Sequence, residues 1–448
     1  MAATARHTMT FTIVLQFLVV LAAIWMGARY SGIGLGLWGG VGLLILMLVF
    51  GVAPTSPPVD VILIILAVIM AASVMDAAGG IDFLVRVAEK IIRANPKHVT
   101  VVAPLTTWTF TFLAGTGHIV YPLLPVIYEV AHSAGIRPER PMAVATIASQ
   151  QSITASPVSA ATAALIGLFA AKGYTDWGLA QILMICVPAT LTGVIVAGIV
   201  SMYLGKDLAD DPEYQARLKA GMVPPPVAVA QRPPLAAKAK VSALIFLAGV
   251  ALVVAMGFFP TLRTLPGADK PLGMATVLEV FMLAIAAVML FFTKVNVDEV
   301  VKTPTCRAGI VAVIGIFGLA WLGDSFISAH KDVIIGAVGD IAKANPWTFA
   351  PVLFFVSVLL YSQAATTRAL MPLGIALGIA PPNLIAMFPS VNGYFFIPTY
   401  GSLIAAINFD LSGTTRIGKY VINHSFMIPG VVATVTAVAT GLMIASFF

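Results

Sequence analysis

Long apolar stretches recur from one end of this chain to the other, and each is near the roughly 20 residues that a helix needs to cross a bilayer. Hydrophobic residues make up 59% of the sequence and charged residues only 10%, and the mean hydropathy is +0.99. A water-soluble protein carries about 25% charged residues. So few charges cannot cover a soluble fold, and the sequence therefore predicts an all-α polytopic membrane protein.

Charge and cysteine placement exclude several function classes. The basic residues behind the net charge of +6 lie in short loops between apolar segments, which indicates positive-inside topology and argues against a nucleic-acid partner. Cys186 and Cys306 lack the spacing of a metal site or a CxxC pair, so we expect neither a metal nor a disulfide. Neither a phosphate-binding loop nor an HExxH motif is present, and we expect no enzyme and no cofactor.

The chain divides into two halves that carry the same parts in the same order. Each half has an amphipathic helix, then a hairpin-length apolar segment with a polar interruption, then a span broken by a proline and hydroxyls. The predicted units are a first repeat at 1–204, with a hairpin near 98–133 and a broken helix near 141–172; a cytoplasmic linker at 205–240; and a second repeat at 241–448, with a hairpin near 347–381 and a broken helix near 383–411.

Loop charges orient these parts in the membrane. With the N-terminus outside and both hairpins treated as re-entrant, most of the 25 Lys and Arg residues fall on the cytoplasmic side. The two hairpins then enter from opposite sides, as inverted repeats of a secondary transporter do. The sequence thus predicts an inner-membrane protein with about ten crossings plus two re-entrant hairpins and with both termini outside.

The interruption of the first hairpin is Gly115, Thr116, Gly117 and His118. Glycines permit a turn and a close approach of a ligand to the backbone. Amide N–H groups at the start of the following helix suit a carboxylate, while the threonine and histidine side chains add donors. An ordinary turn at the membrane surface is the alternative interpretation.

The first broken span carries Gln151, Ser156 and Ser159 around a proline. A helix broken at membrane depth presents its ends to a substrate or ion. The alternative is a simple proline kink whose serines bond back to their own helix.

The second hairpin carries Gln363, Thr366, Thr367 and Arg368 between two apolar runs, and we expect them at its tip. A guanidinium is costly there unless it has a task or a partner, and its two parallel donors match a carboxylate. Arg368 is therefore the best candidate for the counter-charge of an anionic substrate. A structural salt bridge or a rim position is the alternative.

We expect Asn392, Thr399, Tyr400 and Ser402 to line the second broken span, with the last three as further candidate ligands. Asp410 and Thr414 follow it, and Asp410 is either a coupling cation or proton group or the cap of a loop turn.

Three charged residues of the first half are candidates for a gating or coupling role. Glu89 and Arg93 are four residues apart on an amphipathic helix, and Arg137 follows the first hairpin. They form either a basic vestibule that attracts dianions or an anchoring surface with a helical ion pair.

Several long strings resemble one bacterial family. GGVGLLIL at 39–46, PPVDV at 57–61, GTGH at 115–118, RPERPM at 137–142, ASPVS at 155–159 and the run from 408 to 430 are similar to the anaerobic C4-dicarboxylate uptake (Dcu) family. The resemblance covers essentially the whole chain. It implies exchange of fumarate, malate, aspartate and succinate during anaerobic growth. It also implies a homodimer with an elevator-type movement of hairpins and broken helices, and a possible sensor-kinase partner.

Ion-coupled symport and three further functions are the alternatives to exchange. The wider superfamily often carries Ser-Asn-Thr at its hairpin tips, where this chain has GTGH and TTR, so proton- or sodium-coupled symport of another small carboxylate remains the second hypothesis. A cation antiporter would need paired carboxylates within the spans, and a membrane enzyme a nucleophile with a base. A sensor that has lost transport is the third alternative.

Overall fold

A computed structural model describes residues 2–448 except 31–32, 58, 224–233, 334–343, 361, 399, 419 and 421. Helices make up 77% of the described residues. Within the described ranges the only β pairing is an isolated antiparallel bridge between Ile417 and His424. The prediction of an all-helical chain is confirmed.

The first half contains a long series of helices. They are α1 (Ala2–Tyr30), α2 (Gly34–Phe50), α3 (Val59–Ala77), α4 (Gly80–Ala94), α5 (Val99–Ala114), α6 (Val120–Ser133), α7 (Glu139–Gln151), α8 (Ala160–Ala171) and α9 (Leu179–Met202). Short 3₁₀ turns at Pro96–His98, Gly117–Ile119 and Ser152–Thr154 join α4 to α5, α5 to α6 and α7 to α8.

The second half contains a further series of helices. Its helices are α11 (Ala237–Phe258), α12 (Met274–Thr293), α13 (Val297–Val300), α14 (Pro304–Gly315), α15 (Trp321–Ala329), α16 (Phe349–Leu360), α17 (Gln363–Ala376), α18 (Pro381–Met387), α19 (Gly401–Phe409) and α20 (Met427–Ala445). A π-turn at Ile316–Ala320 joins α14 to α15, and a 3₁₀ segment at Phe388–Phe395 follows α18.

Between the halves, the predicted linker contains a helix that the sequence analysis did not anticipate. α10 covers Pro212–Lys219, with Asp211 as its N-cap and a proline in its first turn. The Asp211 side chain accepts hydrogen bonds from the N–H groups of Glu213 and Tyr214. Because a capped start with proline at N1 favours a helix, part of the 205–240 segment is regular. Residues 224–233 of that segment lie outside the described ranges.

Five described segments are long and apolar enough to cross a bilayer: α9, α11, α12, the composite 304–329 and α20. α3 and α4 add a sixth if they count as one span, although they are bent by 72° at their junction. The chain is therefore a multi-pass membrane protein.

The two halves pack into one another. α9 lies along α20, α3 lies along α12, and α17 packs on α8. One large hydrophobic cluster joins both halves, and a smaller one surrounds α1, α2 and α15. This arrangement brings the first broken span against the second hairpin.

Candidate functional site

The connection of the first hairpin depends on two glycines. Gly115 has a φ of +71°, and a Cβ there would lie 2.6 Å from the carbonyl oxygen of Val158. A Cβ on Gly117 would lie 2.4 Å from Gln150 Nε2. Thr116 Oγ1 accepts a hydrogen bond of 3.3 Å from the N–H of His118. The connection is thus pressed against the first broken span.

The serines of the first broken span hold the backbone in place. Ser156 Oγ donates to the carbonyl of Phe112 at 2.7 Å, and Ser159 Oγ donates to that of Ile153 at 2.7 Å. Ser159 Oγ also accepts from the N–H of Thr162, which makes it the N-cap of α8. Each serine proton is therefore engaged by the protein.

The second hairpin turns earlier than the sequence analysis expected. Ser362, not the 366–368 group, is the N-cap of α17, and its Oγ accepts from the N–H of Ala365 at 3.2 Å. Thr366 and Thr367 lie inside α17, where their hydroxyls donate to carbonyls four residues back, at 2.8 and 2.7 Å. Threonine hydroxyls commonly bond back in this way.

Arg368 lies in the second turn of α17 and is one of the largest fully buried side chains, with 1% of its surface exposed. None of its three guanidinium nitrogens has a hydrogen-bond partner among the described residues. Its neighbour one turn earlier, Ala364, lines the cavity described below. Arg368 itself does not line that cavity in this structure. The alternative prediction, a structural salt bridge, is therefore wrong as far as the described residues are concerned.

The second broken span contributes one of its three predicted residues to the cavity. Tyr400 lines it, and its ring is tilted against that of Tyr394, with ring centroids 4.8 Å apart. Ser402 is fully buried, and its hydroxyl finds no partner in the described part of the chain. Thr399 lies outside the described residues.

A cavity of about 150 Å³ lies where these parts meet. It is smaller than the ~300–1,000 Å³ of sites for drug-sized ligands, which suits a small metabolite. Its lining comes from both hairpins and both broken spans: Gly115, Thr116, Gly117, His118, Tyr121, Gln150, Ile153, Ala160, Ala161, Ser362, Gln363, Ala364 and Tyr400. His118 is exposed, so it marks the open side.

Three helical starts face this cavity. α8 begins at Ala160, α17 begins at Gln363, and the 3₁₀ turn from Gly117 leads into α6. The first N–H groups of a helix have no acceptor within it, and the helix dipole places partial positive charge there. The cavity therefore favours an anion.

Gln150 lines the cavity, whereas the sequence analysis chose its neighbour Gln151 as the candidate ligand. Gln151 donates instead to Thr434 Oγ1 at 2.8 Å, away from the cavity. Gln150 Oε1 accepts from Gln363 Nε2 at 2.9 Å, so an amide contact bridges the two halves at the site. Ser362 and Tyr121 were missed, and the serine could have been found as a helix-capping residue ahead of α17.

A second, larger cavity of about 610 Å³ lies on the face where α6 ends and α7 begins, which we call the linker face. Its charged lining residues are already paired. Arg137 contacts Glu139 at 2.5 Å and also Asp211, while Arg416 contacts Glu213 at 2.5 Å. We therefore take the smaller cavity as the candidate substrate site.

Arg137 anchors the linker. It is buried, with 7% of its surface exposed, and it also donates to the carbonyl of Lys206. The pKa of Asp211 lies below its usual value, because the hydrogen bonds from the Tyr214 N–H and the Arg137 guanidinium outweigh burial, which acts to raise it. The interpretation of Arg137 as an open vestibule charge is not supported.

The other gating candidates also have structural partners. Arg93 of α4 makes a bidentate pair with Glu129 of α6, both contacts at 2.9 Å, and Glu89 has contacts of its own. Asp410 is buried and accepts from Thr414 Oγ1 at 2.7 Å and from the N–H of Thr415 at 2.6 Å. Of its two predicted roles, the structure shows the loop-turn cap.

Metal ligation has no support in the described ranges, where no group of three or more His, Cys, Asp or Glu side chains is close enough to hold an ion.

Comparison with known proteins places the chain in a family. The family model described as "anaerobic c4-dicarboxylate membrane transporter" matches residues 12–448. The chain belongs to this DcuA/DcuB family. The family and its curated relatives are transporters, not enzymes.

Its relatives within the family span nearly the full chain. The C4-dicarboxylate transporter DcuA of Wolinella succinogenes is 44% identical over 97% of this chain and 99% of its own. The DcuB transporter of Escherichia coli O6:H1 is 41% identical over 98% of this chain and 99% of its own. The resemblance identified from the sequence is confirmed.

Two solved structures share the fold of this DcuA/DcuB protein. The YdaH transporter of Alcanivorax borkumensis superposes with a TM-score of 0.51 at 15% identity, covering 97% of this chain and 98% of that one. MtrF of Neisseria gonorrhoeae gives a TM-score of 0.50 at 13% identity, covering 96% and 94%. At this identity the likeness shows the fold alone.

Proposed function

We propose that this protein is a secondary active transporter that exchanges C4-dicarboxylates (fumarate, malate, aspartate and succinate) across the bacterial inner membrane. The observation that carries the proposal is the small cavity enclosed by both hairpins and both broken spans. Full-length relatives named as C4-dicarboxylate transporters support the substrate class.

The cavity can offset two negative charges. The starts of α8 and α17 and the turn at Gly117 supply N–H donors. Arg368 supplies a full positive charge with no competing partner among the described residues. A carboxylate accepts two parallel hydrogen bonds from a guanidinium. We therefore assign one substrate carboxylate to the helix starts, and we propose that the other draws the neighbouring Arg368 side chain into the cavity.

Transport follows from moving this site between the two sides of the membrane. We propose two inverted repeats, 1–204 and 241–448, with about ten crossings and two re-entrant hairpins, moving as an elevator with both termini periplasmic. The repeated order of hairpin and broken span in the two halves supports this. An empty carrier that buries an unpaired guanidinium moves poorly, because the bare charge stays costly in the membrane. This would enforce exchange.

Assembly is a further part of the proposal. The Dcu resemblance supports a homodimer and an interaction with a sensor kinase. Neither is needed for the binding chemistry above, since every residue assigned to it belongs to one chain.

The test is uptake of labelled fumarate into proteoliposomes with and without internal succinate. Exchange predicts uptake only with succinate inside. Uptake that ignores internal succinate but follows a proton or sodium gradient would replace exchange with symport. Folded protein that takes up no four-carbon acid would overturn the substrate class.

A further inference from the structure

A chain of buried amide side chains leads from the core to the cavity. Gln363 Nε2 donates to Gln150 Oε1 at 2.9 Å and to Asn392 Oδ1 at 3.0 Å. Asn392 Nδ2 donates to Gln151 Oε1 at 3.3 Å and to the carbonyl oxygen of Pro389 at 3.1 Å. These four side chains are between 0% and 9% exposed.

The carbonyl of Pro389 fixes the direction of the whole chain. The oxygen and nitrogen of an amide are nearly alike in shape, so their assignment depends on the partners. A backbone carbonyl only accepts, so Asn392 must present its NH₂ group there and its oxygen to Gln363. Gln363 must then present its own NH₂ group to both Asn392 and Gln150.

This direction decides which amide atoms remain for a ligand. Both protons of Gln363 Nε2 are engaged, whereas its Oε1 accepts no bond from any described residue. Gln150 has its oxygen engaged and its NH₂ group beside Gly117. Since both glutamines line the cavity, it presents a fixed donor on Gln150 and a fixed acceptor on Gln363.

An acceptor oxygen is unsuited to a carboxylate, which has only lone pairs to offer. It requires an N–H or O–H group on the substrate. Among four-carbon dicarboxylates, aspartate carries an ammonium at C2 and malate carries a hydroxyl there. Succinate and fumarate carry only hydrogen on carbon at that position.

We infer that Gln363 Oε1 recognises a hydrogen-bond donor at C2 of the substrate, so that the site prefers 2-amino and 2-hydroxy dicarboxylates over succinate and fumarate. Asn392 is the positioning residue that keeps Gln363 in this orientation. The inference rests on the proposed function. A site with a buried polar group rejects an analogue that leaves the group unpaired, so we expect a preference of about 10- to 100-fold.

The first test needs no variant. Proteoliposomes containing the native protein and internal succinate take up labelled fumarate, and unlabelled L-malate, L-aspartate and succinate compete outside. Malate and succinate form a matched pair that differs by the C2 hydroxyl. Malate and aspartate competing at least tenfold better than succinate supports the inference. Equal competition overturns it while leaving dicarboxylate transport intact, and failure of all four acids overturns the proposed function instead.

Variants separate recognition from folding. Gln363→Met keeps the side-chain length and removes the acceptor, so KM for malate and aspartate rises about 10- to 100-fold while KM for succinate stays within about twofold. Asn392→Leu frees the Gln363 amide to rotate by about 180°, so the preference for malate and aspartate over succinate falls. Thr434 contacts Gln151 at the far end of the row of amides, so Thr434→Val leaves this preference unchanged. An equal change for all substrates in Gln363→Met would show a merely structural role and contradict the inference.

Discussion

Replacing Arg368 by methionine has two opposite effects if the guanidinium awaits a substrate. The buried, unpaired charge is a cost to the empty protein, and the effective penalty of burying an ion is several kcal/mol. Methionine fills similar space without a charge. We therefore expect Arg368→Met to raise the free energy of unfolding of the empty protein by ~1–4 kcal/mol.

Binding changes in the other direction. Two hydrogen bonds to a carboxylate at ~1.5–3 kcal/mol each are lost, which is ~3–6 kcal/mol or about 10²- to 10⁴-fold in affinity. Ligand binding stabilises the folded state by an amount that grows with ligand concentration over Kd. Fumarate should therefore raise the melting temperature of the native protein in detergent and leave that of the variant unchanged.

Arg140 provides the matched control. It is largely buried like Arg368, but it donates to Asp207 at 2.7 Å and to the carbonyl of Leu204 at 2.8 Å. Arg140→Met should lower the melting temperature of the empty protein and preserve the shift with fumarate. An Arg368→Met protein that is less stable when empty, or that keeps its fumarate shift, would refute the reasoning.

Three further predictions concern the hairpin connection, the first broken span and the linker. Gly115→Ala should lower the free energy of unfolding by ~1–2 kcal/mol because of its left-handed φ, and it should abolish uptake because its Cβ clashes with a backbone oxygen. Gly173 has a similar φ of +83° but open space around it, so Gly173→Ala should lower the melting temperature without abolishing uptake. Ser156→Ala should lower stability by ~1–3 kcal/mol without changing the fumarate KM, since its proton serves the backbone; a raised KM would return it to the binding site. Because the pKa of Asp211 is lowered in the folded state, linker docking should be complete above the usual carboxyl pKa and lost as pH falls through the lowered value. Hydrogen exchange of the 212–219 amides, corrected for intrinsic rate, should therefore accelerate as pH falls in the native protein. In Asp211→Asn it should show no such pH dependence.

Composition and the order of apolar segments were enough to predict the helical membrane class, because the bilayer leaves few alternatives for a chain of this kind. Gly115 to His118 line the cavity, as the sequence analysis expected. Non-helical backbone at membrane depth is tolerated only where it is buried in protein or lines a cavity. The sequence analysis placed residues 366–368 at a hairpin tip because their polar side chains were interpreted as a break in the helix. In fact the hydroxyls bond back within a continuous helix.

Other features depend on the rotation of helices, which a single sequence does not fix. Gln150 and Gln151 differ by about 100° around α7, and only tertiary packing decides which one meets the cavity. The helix in the linker did leave a signal, since Asp211 followed by proline is a capped helix start. The surrounding proline-rich composition obscured it.

The central claim is that the small cavity between the halves holds the substrate, and cysteine protection tests it most directly. Both native cysteines are buried, so they give little background labelling. A thiol reagent should modify Ala160→Cys in the small cavity and Asn423→Cys in the linker-face cavity. We predict that fumarate slows modification of Ala160→Cys in a saturable way and leaves Asn423→Cys unchanged. Protection of Asn423→Cys alone would contradict the account and move the site to the linker face.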